Sequence, residues 1–262
     1  MNLLRSLWPA AKGGGSPCKI CGGPSHLFDV VDFNKQCAEK NPYALGLSGV
    51  PVQYSRCAGC EFIFTRHFDG WDARRFARDV YNDDYAKVDG EYASIRPLRV
   101  AGHFAMRFPH AKTLSILDYG SGSSVFTERL NALGFERTAD YDPYARPSRP
   151  PGPFDIVTCI EVMEHTPDPH GTMRDLITFA HADTAILFTT LTQPADIEQR
   201  RGGWWYIAPR NGHVSIYSED ALEALAVKHG LLYFPDNGSG FHAFSRASDT
   251  ATLRLAACSL GP

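Results

Sequence analysis

The residues best suited to chemistry lie at the end of an apolar segment, in Leu114-Ser-Ile-Leu-Asp-Tyr-Gly-Ser-Gly-Ser-Ser124. This pattern predicts a strand that ends in an acid, Asp118, and opens into a turn spaced by Gly120 and Gly122. Because glycine has no Cβ, the backbone of the turn can bend tightly and approach a ligand closely. The spacing favours a nucleoside-binding turn, and the open alternative is an ordinary strand-to-helix turn.

Secondary structure alternates along the rest of this region. A helix follows the turn, because Phe126, Leu130 and Leu133 share one face and Gly134 is placed to end it. Three later apolar segments predict strands: 135–141, 154–160 and 185–191. The helix before the last strand has an apolar face of Met173, Leu176, Ile177 and Ala180. This alternation predicts an α/β fold, a mostly parallel Rossmann-like sheet with helices on both faces.

Asp142 ends the second of these strands, where an acid can hydrogen-bond ribose hydroxyls. The segment that follows, 143–153, is rich in proline. Proline has no N–H to donate, so this segment cannot form an interior strand.

Two cysteine pairs near the N-terminus, Cys18-Lys-Ile-Cys21 and Cys57-Ala-Gly-Cys60, have the spacing of metal-binding knuckles. Four thiolates satisfy the tetrahedral preference of Zn²⁺ and leave no position for a substrate, so the site would be structural. A redox pair or disulfides is the alternative, and a reducing cytosol disfavours it. The remaining cysteines, Cys37, Cys159 and Cys258, are interpreted as structural. His26 could replace a cysteine as a ligand, but four thiols already suffice.

Three motifs in order resemble class I S-adenosylmethionine (SAM)-dependent methyltransferases. They are Leu-Asp-Tyr-Gly-Ser-Gly, Tyr-Asp-Pro, and Phe-Asp-Ile-Val-Thr-Cys-Ile-Glu-Val-Met-Glu-His, and the resemblance covers roughly residues 114–246. A nicotinamide-binding turn would carry a third glycine where this chain has Val125. That departure favours SAM as the cofactor.

The resemblance implies roles for particular residues. The cofactor-binding residues would be Asp118, Tyr119, Gly120, Ser121, Gly122, Asp142 and Glu161. Of these, Asp142 would bind the ribose hydroxyls, and Glu161 would lie where the methyl group meets its acceptor, with His165 nearby. Members of the family place a further strand and an adenine-contacting acid after Asp142, and the proline-rich segment departs from that pattern.

A zinc module ahead of a SAM domain resembles two groups, the C-methyltransferases of deoxysugar pathways with their relatives in glycan clusters, and zinc-containing ribosomal-RNA guanine methyltransferases. The first group carries a tyrosine-histidine-glutamate-x-histidine segment before a serine-tyrosine-phenylalanine-serine segment. Here only Gly-His-Val-Ser-Ile-Tyr-Ser matches, so the upstream histidine and the glutamate are missing. This loss suggests a related reaction such as O-methylation.

The loop 200–218 is expected to select the methyl acceptor, because loops beyond the carboxyl ends of strands bind ligands in open α/β sheets. It carries Trp204, Trp205, Tyr206, Arg210 and His213, and aromatic faces with a few polar groups suit a sugar or planar substrate. His213 is the leading candidate base, with Tyr206 and His165 as further catalytic candidates. In the open alternatives His213 orders the loop by bonding a backbone carbonyl, and His165 caps the loop before Pro167.

Composition and segment lengths suggest the domain organisation. The prediction is a flexible leader (1–16), a zinc module (17–66), a helical linker or lid (67–112), the SAM domain (113–248) and a tail (249–262). A formal net charge of −3 disfavours a broad nucleic-acid-binding face, and no apolar run is long enough to cross a membrane. We therefore expect a cytoplasmic enzyme with a small-molecule or glycan acceptor. An RNA methyltransferase and a non-catalytic scaffold are the competing hypotheses, and the oligomeric state is not predicted.

Overall fold

The computed structural model describes residues 15–247. The predicted leader, except residues 15 and 16, and the predicted tail with Cys258 lie outside these residues. The strands are β1 (Ser25–Asp32), β2 (Pro51–Cys57), β3 (Ile63–Thr65), β4 (Ser115–Tyr119), β5 (Arg137–Tyr141), β6 (Phe154–Ile160), β7 (Ala180–Thr189), β8 (Ser215–Ile216), β9 (Leu232–Phe234) and β10 (His242–Ser245). The α-helices are α1 (Ala73–Asp79), α2 (Tyr85–Val88), α3 (Ile95–Arg107), α4 (Val125–Ala132), α5 (Pro169–Ile177), α6 (Ile197–Arg200) and α7 (Glu219–Lys228).

Six strands form the larger sheet in the order β5-β4-β6-β7-β10-β9. The first four are parallel, and β10 runs antiparallel to both β7 and β9. The predicted α/β fold with a mostly parallel sheet is confirmed. Because β4, β5 and β6 are parallel, their carboxyl ends meet at one edge, which brings together the glycine turn, Asp142 and Glu161.

The proline-rich segment 143–153, between β5 and β6, forms no strand of this sheet, as the prolines predict. Its one β-type pairing is an isolated bridge between Asp142 and Arg146. One expectation about the neighbouring helix was wrong. Met173, Leu176 and Ile177 lie on α5, but Ala180 begins β7 and pairs with Phe154, because the helix already ends at Ile177.

A second sheet of four antiparallel strands has the order β1-β2-β3-β8. The third strand of this sheet, β3, is short. Glu61 has a left-handed backbone conformation (φ +61°), so the strand starts only at Ile63. The last strand, β8, comes from the loop after β7 and pairs with Ile63 and Phe64 of β3.

One apolar core joins this small sheet to the segments around it. It is built from the predicted zinc module, the predicted linker and the predicted acceptor loop: Phe28, Val31, Val52, Tyr54, Ile63, Phe68, Phe76, Val80, Tyr85, Ile197, Trp204, Tyr206, Ile207, Val214 and Ile216. The small sheet therefore packs against residues that come before the parallel strands of the larger sheet in the chain and against residues that come after them.

Helix α3 packs against the larger sheet, because Ala101 and Phe104 lie in the core that also buries Phe126 of α4. Within residues 15–247, no helix combines the length and apolar character that a membrane span requires.

Candidate active site and cysteine cluster

The four predicted zinc ligands lie together. The sulfur atoms of Cys18 and Cys60 are 3.7 Å apart and those of Cys21 and Cys57 are 3.4 Å apart, and all four lie within 4.8 Å of one another. These separations exceed the length of a disulfide bond, and the four cysteines are free. They match the spacing of thiolates around one tetrahedral ion.

Backbone N–H groups surround the same sulfur atoms. The amides of Ile20, Gly23 and Gly59 point to the sulfurs of Cys18, Cys21 and Cys57, at 3.3–3.4 Å. Such bonds stabilise negative charge on sulfur, which is the form that binds a metal. The donor set and its surroundings therefore fit a structural Zn²⁺.

The glycine turn is shaped by contact with the loop after β6. Gly120 has φ +78°, and a Cβ at this position would lie 2.4 Å from Cγ2 of Val162. The Gly120 amide donates to the carbonyl of Tyr141 at 2.8 Å, which ties the turn to the end of β5. Only glycine fits here, so the turn and the Glu161–Pro167 segment form one continuous wall.

Polar groups line this wall, and one of them has no protein partner. The Gly122 amide donates to Oδ2 of Asp142 at 3.1 Å, and Oδ1 of Asp142 accepts from the amides of Tyr144 and Ala145. The hydroxyl of Ser121 is buried, and no hydrogen-bond partner for it exists among the described residues. Buried polar groups normally have partners, so this hydroxyl fits the expectation of a polar cofactor at the turn.

The structure places the two residues before the glycines inside the sheet. Asp118 is buried, accepts from the Thr158 hydroxyl at 2.8 Å, and burial raises its pKa to about 7. The Tyr119 side chain packs in the core, and its hydroxyl donates to Asp175 at 3.0 Å. Tyr119 could therefore reach a cofactor only through its backbone.

Glu161 lies at the mouth of the site, where it meets the predicted linker. Its carboxylate is 3.0 Å from a guanidinium nitrogen of Arg96, which also makes a bidentate pair with Asp89. Burial raises the pKa of Glu161, with Glu164 acting in the same direction and Arg96 opposing it. Glu161 itself adopts φ +52°, a left-handed conformation that carries strain in a non-glycine residue at a ligand-binding loop.

Glu164, which the sequence analysis quoted without giving it a role, is fully buried one turn further on. Within the part of the chain that the structure describes, neither carboxylate oxygen makes a hydrogen bond of normal geometry, but the hydroxyls of Tyr206 and Thr190 lie close enough to oppose a rise of its pKa. Burial outweighs them and raises the pKa of Glu164 to about 7. A buried carboxylate with such weak donor contacts is stabilised by a proton or by a cation.

The two histidines predicted to be catalytic meet at this carboxylate. The rings of His165 and His213 are 4.9 Å apart, and donor atoms of both histidines and Glu164 all lie within 4.8 Å of one another. Three such groups could take up a proton in turn or hold a divalent cation. Burial lowers the pKa of His165 to about 4 and also lowers the pKa of His213, so both rings are neutral near pH 7.

His213 has its two nitrogens in different environments. Nδ1 lies 2.8 Å from the carbonyl of Tyr206, to which it donates as an N–H, which leaves Nε2 unprotonated. The hydrogen bond by which His213 would order the loop therefore occupies Nδ1 alone. Nε2 can still accept a proton. Tyr206 packs edge-on against this ring at 4.3 Å, and its hydroxyl lies 3.2 Å from that of Thr190.

Three further groups surround the histidines. The Tyr81 hydroxyl lies 3.2 Å from Nδ1 of His165, and the sulfur of Cys37 lies 3.5 Å from Nδ1 of His213. Buried Lys35 donates to the carbonyls of Trp204 and Ile207 at 3.0 and 2.6 Å. These residues come from the predicted zinc module and linker, so no local motif marked them in the sequence.

Comparisons with known proteins identify the family of this chain. A family model described as methyltransferase domain matches residues 92–233. The ubiquinone biosynthesis O-methyltransferase of Ralstonia nicotianae is 35% identical over 69 residues, which cover 25% of this chain and 29% of that protein. The protein of the same name from Burkholderia multivorans is 25% identical over 182 residues, covering 60% of this chain and 68% of that protein.

One solved structure has a comparable fold. It is that of the mitomycin 7-O-methyltransferase MmcR, which superposes with a TM-score of 0.50 at 15% identity and covers 68% of this chain and 62% of that one. At this identity the likeness concerns the fold alone. The family match extends over more than half of the chain and includes the glycine turn, Asp142 and the Glu161–His165 segment. The chain therefore belongs to the methyltransferase domain family, with the fold of the class I SAM-dependent enzymes.

Proposed function

We propose that the protein transfers the methyl group of SAM to a hydroxyl group of a small-molecule acceptor. The observation that carries this proposal is the buried group of Glu164, His165 and His213 beside the glycine turn. Proton-accepting groups thus lie next to the expected position of the methyl donor, which is where a hydroxyl acceptor must lose its proton.

SAM, when bound, supplies an electrophilic methyl group on a sulfonium. The turn at Gly120 and Gly122 would accommodate its backbone-facing side, Asp142 would accept hydrogen bonds from ribose hydroxyls, and the Ser121 hydroxyl would gain a partner. Alignment of donor and acceptor supplies most of the rate in such a transfer, so the rigid wall between Gly120 and Val162 matters as much as any base.

The acceptor hydroxyl would lose its proton to the histidine pair as its oxygen bonds to the methyl carbon. His213 is the better-oriented base, because the bond from Nδ1 to the Tyr206 carbonyl fixes the tautomer that presents Nε2. Glu164 would stabilise the imidazolium that forms. Tyr206 would act through packing against His213, and His165 would act on the acceptor or as the second proton carrier.

The acceptor is proposed to be an aromatic or sugar hydroxyl. The names of the relatives, ubiquinone biosynthesis O-methyltransferases, support oxygen as the methylated atom. The aromatic residues around the site, including Tyr81, Tyr85 and Tyr92, suit a planar acceptor. The two cysteine pairs resemble those of the deoxysugar C-methyltransferases, so a sugar remains one of the proposed acceptors. C-methylation is less well supported, because this chain matches only part of the histidine-containing segment of those enzymes.

We further propose that Cys18, Cys21, Cys57 and Cys60 hold one structural Zn²⁺. The closeness of the four sulfurs and their amide contacts support this ion. The zinc module would comprise residues 17–66 together with β8, which the acceptor loop contributes.

Calorimetric titration of the purified protein with SAM and S-adenosylhomocysteine, with metal content measured on the same sample, tests both parts. Binding of either ligand with about one zinc per chain supports the proposal and justifies a methyl-transfer screen of catechols, phenols and nucleotide sugars. Zinc without SAM binding would contradict the enzymatic proposal and favour a non-catalytic scaffold. Preferential methylation of RNA, included in the same screen as a competing acceptor, would contradict the small-molecule assignment.

A further inference from the structure

The side chain of Lys19 connects the cysteine cluster to the proposed catalytic loop. Lys19 lies between Cys18 and Cys21, and its side chain is only 6% exposed. Its ammonium group donates to the carbonyl of Pro167 at 2.9 Å, to the carbonyl of Thr65 at 2.9 Å, and to the carboxylate of Asp69. An ammonium has three protons, so all of its donor capacity is used.

The Pro167 carbonyl ends the segment that contains Glu164 and His165. Proline has no N–H, so this carbonyl is its single backbone hydrogen-bonding group. The contact joins residues 148 positions apart in the chain. Lys19 thereby fixes one end of the proposed catalytic loop to the first cysteine knuckle.

The same loop is held at other points by the small sheet. The amide of Val214 donates to the carbonyl of Glu164 at 2.8 Å, and the Ser215 hydroxyl donates to the carbonyl of Thr166 at 2.7 Å. These bonds come from β8 and its flank, whereas the Lys19 bond comes from between two cysteines. The loop therefore has one set of restraints from β8 and a separate restraint from the knuckle.

We propose that Lys19 is a positioning residue, through which the order of the cysteine knuckle fixes the location of His165 and Glu164. This inference rests on the proposed function, because it assigns Lys19 to the same site. Lys19 itself would not contact the substrate, since its three donors are used by Pro167, Thr65 and Asp69.

Lys19→Met tests this role, because it keeps an apolar stem of similar length and removes all three bonds. Asp69 retains its pair with Arg66 at 3.0 Å, so the variant does not leave that carboxylate alone. Lys40→Met is the matched control, since Lys40 is an exposed lysine of the same module. Lys19→Arg keeps the positive charge and should therefore depart less from the wild type than Lys19→Met does.

The measurement is the two-dimensional ¹H–¹⁵N spectrum of the imidazole groups, with the His165 signals assigned by comparison with His165→Gln. We expect Lys19→Met to keep about one zinc per chain and its affinity for S-adenosylhomocysteine within about twofold, while the His165 signals shift or broaden. The His103 signals should stay unchanged, as should the whole spectrum of Lys40→Met. On the acceptor found by the screen, kcat should fall at least about tenfold with the KM for SAM unchanged.

Two results would overturn the inference. In the first, Lys19→Met keeps its zinc and its His165 signals match those of the wild type. In the second, the variant loses its zinc, which would show that Lys19 supports the knuckle itself. If Lys19→Met does not fold, Asp69→Asn replaces it. This milder change should move the same signals by a smaller amount, and unchanged signals would again contradict the role.

The outcome is separable from that of the proposed function. A wild-type protein that fails to bind S-adenosylhomocysteine would contradict the methyltransferase proposal. The His165 spectra of wild type and variant would still decide whether Lys19 positions the loop, because they require neither cofactor nor acceptor.

Discussion

The two sheets of this molecule reach their stability by different means. The six-stranded sheet buries its central strands β4, β6 and β7 between its own helices, with Leu117, Val157 and Phe188 fully or almost fully inaccessible. The four-stranded sheet has only three strands of its own and takes its fourth from the loop after β7. A sheet of this size buries too little apolar surface to be stable alone. We therefore expect the small sheet to need both its cysteine cluster and the large domain for stability.

The largest expected effect separates the two sheets directly. Cys57→Ser should remove the zinc and unfold the small sheet, because metal binding of this kind contributes about 10 kcal/mol or more. Hydrogen exchange should accelerate in β1, β2, β3 and β8, with β4 and β6 remaining protected. Cys37→Ser is the control, since Cys37 lies outside the cluster. Equal loss of protection in both sheets would show that they unfold as one unit.

A substitution at the glycine turn should instead affect the edge of the large sheet at which SAM is proposed to bind. Gly120→Ala combines a left-handed backbone with a Cβ 2.4 Å from Val162, and we expect it to cost about 4 kcal/mol in stability or SAM affinity. Gly46→Ala is the matched control: it has φ +74° and open space around it, so about 1 kcal/mol is expected. Thermal unfolding and calorimetry measure both quantities, and similar losses for the two variants would contradict the close-contact argument.

The interface between the sheets contains a buried acid whose effect depends on pH. Glu164 has its pKa raised from 4.5 to about 7, so the folded protein holds a proton that the unfolded chain has lost between these values. Stability should therefore fall as pH rises through this window, by about 3 kcal/mol in total. In Glu164→Gln this loss should be absent.

Denaturant unfolding from pH 4 to pH 8, without added divalent cations, measures this difference. The stability of Glu164→Gln relative to wild type should increase across the range, while exposed Glu223→Gln should follow the wild-type curve. Parallel curves for Glu164→Gln and wild type would mean that burial does not disfavour the charged form of Glu164.

The smallest predicted effect concerns the junction of α7 with the cysteine cluster. The Ser218 hydroxyl accepts from the Ala221 amide as the helix N-cap and donates to the carbonyl of Cys60 at 2.7 Å. Ser218→Ala should cost about 2 kcal/mol, as it removes a cap and a buried bond. Asp168→Ala removes a cap from α5 without touching the cluster, so about 1 kcal/mol is expected. Equal losses in chemical denaturation would show that the bond to Cys60 contributes nothing.

Much of the large sheet could be predicted from the sequence, because its signals are local. The apolar segment before Gly120 and the acid at Asp142 each act within a few residues. The prolines after Asp142 likewise excluded a strand correctly. The α5 face was extended three residues too far, to Ala180, since helical spacing alone does not reveal where a helix gives way to a strand.

The contacts between the sheets could not be predicted in the same way. Strand β8 is two residues long, too short for an alternating pattern, and its partner Ile63 is far away in the chain. Cys37, Lys35 and Tyr81 reach the histidines only after the chain has folded back. Glu164 lies inside a recognised motif, but the complete burial of its carboxylate is a property of three-dimensional packing.

The borrowed strand also has a consequence for how the chain is made. The Tyr54 hydroxyl donates to the carbonyl of His213, a residue 159 positions later, and β3 finds its neighbour in the same distant stretch. A ribosome delivers the N-terminus first, so the cysteines emerge long before the segment that completes their sheet. During that interval Phe28, Tyr54 and Ile63 lack the apolar surface that covers them in the finished protein. The small sheet is thus begun before the larger one and completed only after the four parallel strands of the larger sheet have been synthesised.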